Sequence, residues 1–145
     1  MRSLETLVRA FHVKFGFAVN CPLREDGATS ALVEAMMDLE RAHRHVSGLV
    51  GTDLRAARAS LMIEELRETI EAMITMDETA LADGLADLAY VVTGTAVSYG
   101  MPIGALVEEV HRSNMTKDPG QFKPVKGENF SEPDIWGVLR AEERR

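Results

Sequence analysis

Apolar residues recur every three or four positions along most of the chain, which is the spacing of one face of an α-helix. Leu4, Leu7 and Phe11 begin this pattern, and no segment shows the strong alternation typical of a strand. The spacing and its flanking glycines and prolines predict these helices: Leu4–Phe15, Ala31–Val46, Leu54–Met76, Glu78–Tyr99, Ile103 to about Met115, and a short one from Pro133 through Leu139. We therefore expect an all-α fold, a helical bundle of four to six helices.

Polar residues mark where these helices begin and where the chain leaves them. Ser3, Asp53 and Asp77 stand at the starts of three helices, where a short polar side chain can accept a hydrogen bond from the first turn. The segment Thr116–Glu132 is polar and carries two prolines, so it predicts a long loop. We expect a single domain over residues 1–145 with a loop-rich C-terminal segment from about residue 116.

Composition and charge narrow the class of protein. The formal net charge is −7, the opposite of what a sequence-independent nucleic-acid binder needs. The single cysteine, Cys21, excludes an intrachain disulfide and a multi-cysteine zinc site. Leu88–Val107 carries no charge and has about the length of a membrane span, but Gly100-Met101-Pro102 interrupts it. We expect two soluble helices there, no membrane or nucleic-acid partner, no signal peptide and a cytoplasmic location.

The third predicted helix carries a run of acids. At about 100° per residue, Glu64, Glu68 and Glu71 form one stripe with Glu65 beside it, and apolar residues occupy the far side. An ordinary solvated acidic face would give the same pattern, and this helix alone does not exclude that interpretation.

The fourth predicted helix changes the balance between these interpretations. It is apolar from Leu85 to Val97 except for Asp87 and three small polar positions, so we expect it to be buried nearly all round. Asp83 and Asp87 lie one turn apart, and a buried carboxylate is costly unless it is paired or binds a cation. No arginine or lysine lies on this helix, although a partner from another helix remains an alternative.

The two acidic helices are joined by a short connection at Met76-Asp77, which favours an antiparallel pair. Their carboxylates would then face each other and raise one another's pKa values. Such a cluster calls for divalent cations, and oxygen-only ligation suits Mg²⁺ or Mn²⁺ rather than zinc. Mg²⁺ held in this way keeps positions open for water and phosphate, which points to phosphate-ester or phosphoanhydride chemistry.

These residues resemble the MazG-like all-α nucleoside triphosphate pyrophosphohydrolases, a group that includes phosphoribosyl-ATP pyrophosphohydrolase and the dimeric dUTPases. The group's Glu-Glu-x-x-Glu motif stands here as Glu64-Glu65-Leu66-Arg67-Glu68, and its acidic-x-x-Asp motif falls at Asp83 to Asp87. The likeness continues through Phe11–Gly16, Thr93–Val97, Glu109–Lys117 and Lys126–Phe130, and residues about 22–52 look like an extra helix outside it. One departure is Gly84, which stands at the usual acidic position, so Asp83 would substitute.

The resemblance implies hydrolysis between the α- and β-phosphates of a nucleotide, releasing the monophosphate and pyrophosphate. It implies Mg²⁺ or Mn²⁺ on a set of five carboxylates: Glu64, Glu65, Glu68, Asp83 and Asp87. One of Glu64 and Glu65 would orient the attacking water, and the sequence leaves open which one.

The segment after the fifth helix supplies candidate substrate contacts. Lys117, Lys123 and Lys126 are suited to phosphates, and Asn114 can both donate to and accept from a base or sugar. Plain solvation is the alternative for Lys123 and Lys126.

The sequence also gives less specific expectations about the substrate and the oligomeric state. We favour a purine deoxynucleotide such as dGTP, with dUTP next. A catalytically inactive nucleotide-binding or interaction module is one alternative, and a structural bundle without a ligand is another. Apolar residues on the second helix, together with the resemblance, favour a homodimer or a homotetramer.

Overall fold

The computed structural model describes residues 3–25 and 27–142, so residues 1–2, 26 and 143–145 of the predicted domain lie outside the description. The described part contains six α-helices and no strand, which confirms the all-α prediction. The helices are α1 (Leu4–Phe15), α2 (Thr29–Ser47), α3 (Leu54–Thr75), α4 (Glu78–Ser98), α5 (Ile103–Asn114) and α6 (Ile135–Glu142).

The helix ends follow from local chemistry. The three predicted N-caps each accept a backbone hydrogen bond, at distances of 3.2, 2.8 and 2.9 Å: Ser3 from Thr6, Asp53 from Arg55 and Asp77 from Ala80. The helix α2 begins two residues before its predicted start, and its N-cap Ala28 makes no side-chain hydrogen bond. The sequence therefore offered no capping signal at that boundary.

The chain forms two compact units, and one of them is the continuous segment Pro22–Tyr99 with α2, α3 and α4. In this three-helix unit, α3 packs against both α2 and α4. Near the α3–α4 connection Gly84 lies against Thr69, and far from it the Arg58 guanidinium donates to Thr95 Oγ1 at 3.2 Å. These pairings make α3 and α4 antiparallel, as the short connection predicts.

Gly84 sits at a close approach of α3 and α4. A Cβ atom at this position would lie 2.9 Å from Thr69 Oγ1 and 3.2 Å from Thr69 Cα. The Thr69 hydroxyl is itself buried and donates to the Glu65 carbonyl oxygen at 2.7 Å. Glycine is therefore favoured here because the neighbouring helix partly occupies the space of a side chain.

We expect Gly84→Ala to destabilise the protein by about 1 kcal/mol. Overpacking costs roughly 1–3 kcal/mol, and the better helix propensity of alanine returns about 1 kcal/mol of this. Urea unfolding measures the change. The control is Gly48→Ala at the end of α2, where the backbone is αR and the nearest atom to an added Cβ is 3.9 Å away. A stability gain at Gly84 equal to that of the control would contradict the close approach.

The other compact unit comprises Met1–Cys21 and Gly100–Arg145, and in it α5 packs against α1 and α6. Arg112 donates to both carboxylate oxygens of Glu109, at 2.9 and 2.8 Å, and to the Glu132 carbonyl oxygen at 2.9 Å. The backbone N–H of Asp134 also donates to Glu109, at 2.7 Å. Arg112 and this N–H lower the pKa of Glu109 to about 2. The pair therefore ties the start of α6 to α5, and the Glu109–Arg112 segment has a structural role.

The long predicted loop is confirmed as irregular over most of its length, with one local exception. Asp118 and Val125 form an isolated antiparallel bridge through two backbone hydrogen bonds of 3.0 and 2.9 Å. The bridge closes a short loop that carries the exposed Phe122 and Lys123. The sequence did not predict this bridge, because the prolines and glycines of the segment indicate a loop.

The expected burial of α4 was wrong. Tyr90 is 79% exposed and Val97 is 73% exposed, and Asp83 and Asp87 are exposed as well. The reason is that α4 packs along one side on α3, and apolar composition alone cannot show which sides of a helix receive a neighbour. In the described part, α4 also has the length and composition of a membrane span, with a mean hydropathy of 1.2. Those two properties do not distinguish a span from a helix that packs in an assembly.

Candidate active site

The structure brings the five predicted carboxylates together on α3 and α4. Burial raises the pKa of Glu65, and the charges of the other four predicted acids raise it further, in the order Asp87, Glu68, Glu64 and Asp83. This order is informative because Asp87 belongs to the other helix. The antiparallel packing of the two helices therefore places Glu65 within electrostatic reach of the acids on both of them.

A cavity of about 310 Å³ opens between the same two helices. Its acidic lining comes from three of the predicted residues and one that was not assigned to the site: Glu68, Asp83, Asp87 and Glu71. Gly84 and Ala72 are among the small residues that leave room for it. Glu64 and Glu65 are not among the residues that line the cavity. The sequence stripe Glu64, Glu68 and Glu71 was the signal that could have identified Glu71.

Arg67 is a basic residue that contacts two of the acids that line this cavity. Its guanidinium donates to Glu68 and to Glu71, each at 2.9 Å, and lies 3.5 Å from the Glu40 carboxylate on α2. Among the residues that the structure describes, no hydrogen bond or ion pair reaches the carboxylates of the other predicted acids: Glu64, Glu65, Asp83 and Asp87. Within the described residues, Asp87 therefore has no basic partner on another helix, which was the alternative interpretation.

The donor chemistry of this group fits a hard divalent cation. Every candidate ligand is a carboxylate oxygen, and of these acids it is Glu68 that an arginine contacts within the described residues. Oxygen donors of this kind suit Mg²⁺ or Mn²⁺. Within residues 3–25 and 27–142, however, no three His, Cys, Asp or Glu side chains are arranged to hold a metal ion. Side-chain rotation would have to bring the oxygens to one point.

We expect Glu65→Gln to raise the melting temperature of the metal-free protein at neutral pH. The raised pKa means that the folded protein binds this proton more tightly than the unfolded chain does. Ionised Glu65 therefore costs stability above its raised pKa, and this cost disappears below the ordinary glutamate pKa of about 4.3.

Calorimetry with EDTA present, at neutral and at acidic pH, measures this effect. The gain should be present at neutral pH and absent in acid. Glu34→Gln, at an exposed position on α2, is the matched control. Equal behaviour of the two variants at both pH values would show that repulsion on Glu65 is not a stability cost.

The predicted substrate contacts all belong to the unit that contains α5. Asn114 is the last residue of α5, and its carbonyl oxygen accepts from the Lys117 N–H at 3.2 Å. Lys123 lines a cavity of about 190 Å³ that includes Phe15 and Phe17. Lys126 is already engaged, because its ammonium lies 2.6 Å from Glu132 and 4.8 Å from the centre of the Phe130 ring. The Lys126 side chain is nevertheless 60% exposed, so solvent contacts it as well.

The comparisons with known proteins agree with the resemblance. A family-wide sequence profile described as "Phosphoribosyl-ATP pyrophosphohydrolase" matches residues 30–114, which is more than half of the 145-residue chain. No curated protein and no solved structure matches.

The matched range also corrects the expected extent of the likeness. It includes residues 30–52 and with them nearly all of α2, so this helix is not an extra element outside the family, and only residues 22–29 of the segment lie outside the match. The segments Phe11–Gly16 and Lys126–Phe130 lie outside the match. The profile does cover both acidic motifs on α3 and α4, together with the cavity between them. The chain therefore belongs to the phosphoribosyl-ATP pyrophosphohydrolase family, within the MazG-like all-α superfamily, and its general reaction class is nucleotide pyrophosphohydrolysis.

Proposed function

We propose that this protein hydrolyses a (deoxy)nucleoside triphosphate to the monophosphate and pyrophosphate with the help of Mg²⁺ or Mn²⁺. The observation that carries the proposal is the coupled acidic group beside an open cavity between α3 and α4. The family supports the reaction class, and the triphosphate and the metal are our own additions.

The five acids Glu64, Glu65, Glu68, Asp83 and Asp87 would hold the cation. When bound, the cation neutralises phosphate charge and polarises the phosphorus under attack. For Glu68 this requires release from Arg67, which holds it at 2.9 Å. A released guanidinium is then available to donate to a phosphate oxygen.

Glu65 is our choice for the residue that orients the attacking water. The choice rests on its position, because Glu65 lies within electrostatic reach of all four other acids, two of them on α4. The water oxygen bonds to the α-phosphorus, its proton passes to the Glu65 carboxylate, and the bond from the α-phosphorus to the bridging oxygen breaks. Pyrophosphate is the leaving group. Asn114, Lys117, Lys123 and Lys126 remain proposed substrate ligands on their chemistry alone.

A panel of nucleotides tests the reaction. The purified protein is incubated with Mg²⁺ and each ribo- and deoxynucleoside triphosphate, and with phosphoribosyl-ATP, and pyrophosphate and orthophosphate are measured separately. Pyrophosphate release from a triphosphate supports the proposal. Orthophosphate as the first product, or turnover of phosphoribosyl-ATP alone, contradicts it. Nucleotide binding without turnover would favour the inactive binding module.

We further propose that a cytoplasmic homodimer, or a dimer of such dimers, forms through α4. This helix exposes Tyr90 and Val97 on one side, and the same side of a second copy would cover them. Val97→Lys should therefore shift the mass measured by light scattering toward the monomer. The matched control is Val13→Lys on α1, because Val13 is 70% exposed and Val97 is 73% exposed. A monomeric wild-type protein would contradict this assembly.

A further inference from the structure

A second cavity, of about 240 Å³, lies between α2 and α3 in the three-helix unit. Two methionines and three arginines contribute to its lining: Met36, Met37, Arg41, Arg44 and Arg67. None of these residues belongs to the acidic group described above.

The second cavity adjoins the acidic one. Glu71 lines both cavities, and Arg67 lines the second while its guanidinium holds Glu68 and Glu71 of the first. A ligand with a phosphate end and a non-phosphate end could therefore reach both. In a nucleotide the non-phosphate end is the base with its sugar.

The lining of the second cavity suits one kind of base. Methionine is a polarizable apolar side chain that adapts its shape to flat surfaces. Of the three arginines that line this cavity, Arg44 has the longest ion pair, because its Nε lies 3.8 Å from Glu40. Its side chain is also 70% exposed. By contrast, Arg41 makes a close ion pair with Asp38, and Arg67 contacts three glutamates and is the residue proposed above to donate to the phosphates. The fork of donors on Arg44 is thus available to a ligand.

An arginine fork matches the O6 and N7 acceptors of guanine in a bidentate arrangement. Adenine presents an amino donor where guanine has O6, and pyrimidines lack the N7 acceptor. We propose that the cavity between α2 and α3 binds the guanine base of the substrate, with Arg44 donating to O6 and N7 and with Met36 and Met37 against the ring. This inference rests on the proposed function, because it assumes that the phosphates occupy the acidic cavity.

Arg44→Gln tests the base contact, and Arg9→Gln is its control. Both arginines pair with a glutamate one helical turn earlier, Arg44 with Glu40 at 3.8 Å and Arg9 with Glu5 at 3.3 Å. Arg9 lines neither cavity. We expect Arg44→Gln to lower kcat/KM for dGTP by about 10-fold to 100-fold and to leave kcat/KM for dATP nearly unchanged. The control should change neither.

Binding measurements separate this inference from the proposed function. Titration calorimetry with dGMP and with dAMP needs no turnover. Arg44→Gln should weaken dGMP binding alone, and Met37→Ala should weaken both, whereas Leu54→Ala, an equally exposed apolar control, should weaken neither. If the wild type hydrolyses triphosphates but Arg44→Gln treats dGTP as the wild type does, the base site is wrong and the activity stands. If nothing is hydrolysed and dGMP binding still depends on Arg44, the proposed function is wrong and the base site stands. If dGMP binding is the same in wild type and variant, the base site is overturned.

Discussion

Asp87→Asn should lower kcat by more than about 100-fold while the metal-free protein stays folded. Loss of a residue that merely supports a metal ligand typically costs 10-fold to 100-fold, so loss of a ligand charge should cost at least as much. Asp87 is exposed, lines the acidic cavity and contributes the largest of the neighbouring charges that raise the pKa of Glu65. The asparagine keeps the volume of the side chain but is uncharged and has an NH2 group in place of one carboxylate oxygen. Initial rates of pyrophosphate release measure the effect.

The control for this variant lies on the same helix. Glu78→Gln removes a charge from the first turn of α4, at an exposed position that does not line the acidic cavity. It should keep near-normal turnover. Glu68→Gln should behave like Asp87→Asn, because Glu68 also lines the cavity. Near-normal turnover of either acidic-site variant would remove that residue from the set of metal ligands.

Removal of divalent cations should abolish turnover completely. Within the described residues, an arginine contacts Glu68 but none of the other four predicted acids, so their negative charge is uncompensated, and a triphosphate substrate adds more. Without a cation, the acids and the phosphates repel each other. EDTA should therefore reduce pyrophosphate release to the background rate, and excess Mg²⁺ or Mn²⁺ should restore it.

Thermal unfolding measures the binding of the divalent cation independently of turnover. A cation that binds only the native state raises the melting temperature with its concentration. Mn²⁺ should do so for the wild type and much less for Asp87→Asn. Full turnover in metal-free buffer, or an identical Mn²⁺ effect in both proteins, would end the metal hypothesis.

The helices and their capped starts were predictable because they depend on neighbours in the sequence. The starts of α1, α3 and α4 coincide with the predicted ones, since Ser3, Asp53 and Asp77 satisfy backbone donors within their own first turns. The start of α2 was missed, because Ala28 gives no such signal.

The grouping of the acids was also predictable, although part of the argument for it was wrong. Helical spacing and a two-residue connection were sufficient to place Asp87 near Glu65. The argument from buried charge failed, because Asp87 is exposed. The cost of burying a charge therefore does not explain why Asp87 belongs to the site. Its position beside the other acids does.

Spacing, caps and a short connection therefore determined the all-α fold, the antiparallel α3–α4 pair and the proximity of the acids on these two helices. Only the tertiary structure decided that Gly84 makes room for Thr69, that Arg67 holds Glu68 and Glu71, and that most of α4 is exposed. The reason is that periodicity describes one helix at a time. Which atoms of another helix occupy the space beside it depends on packing, and packing is settled between elements that lie far apart along the chain.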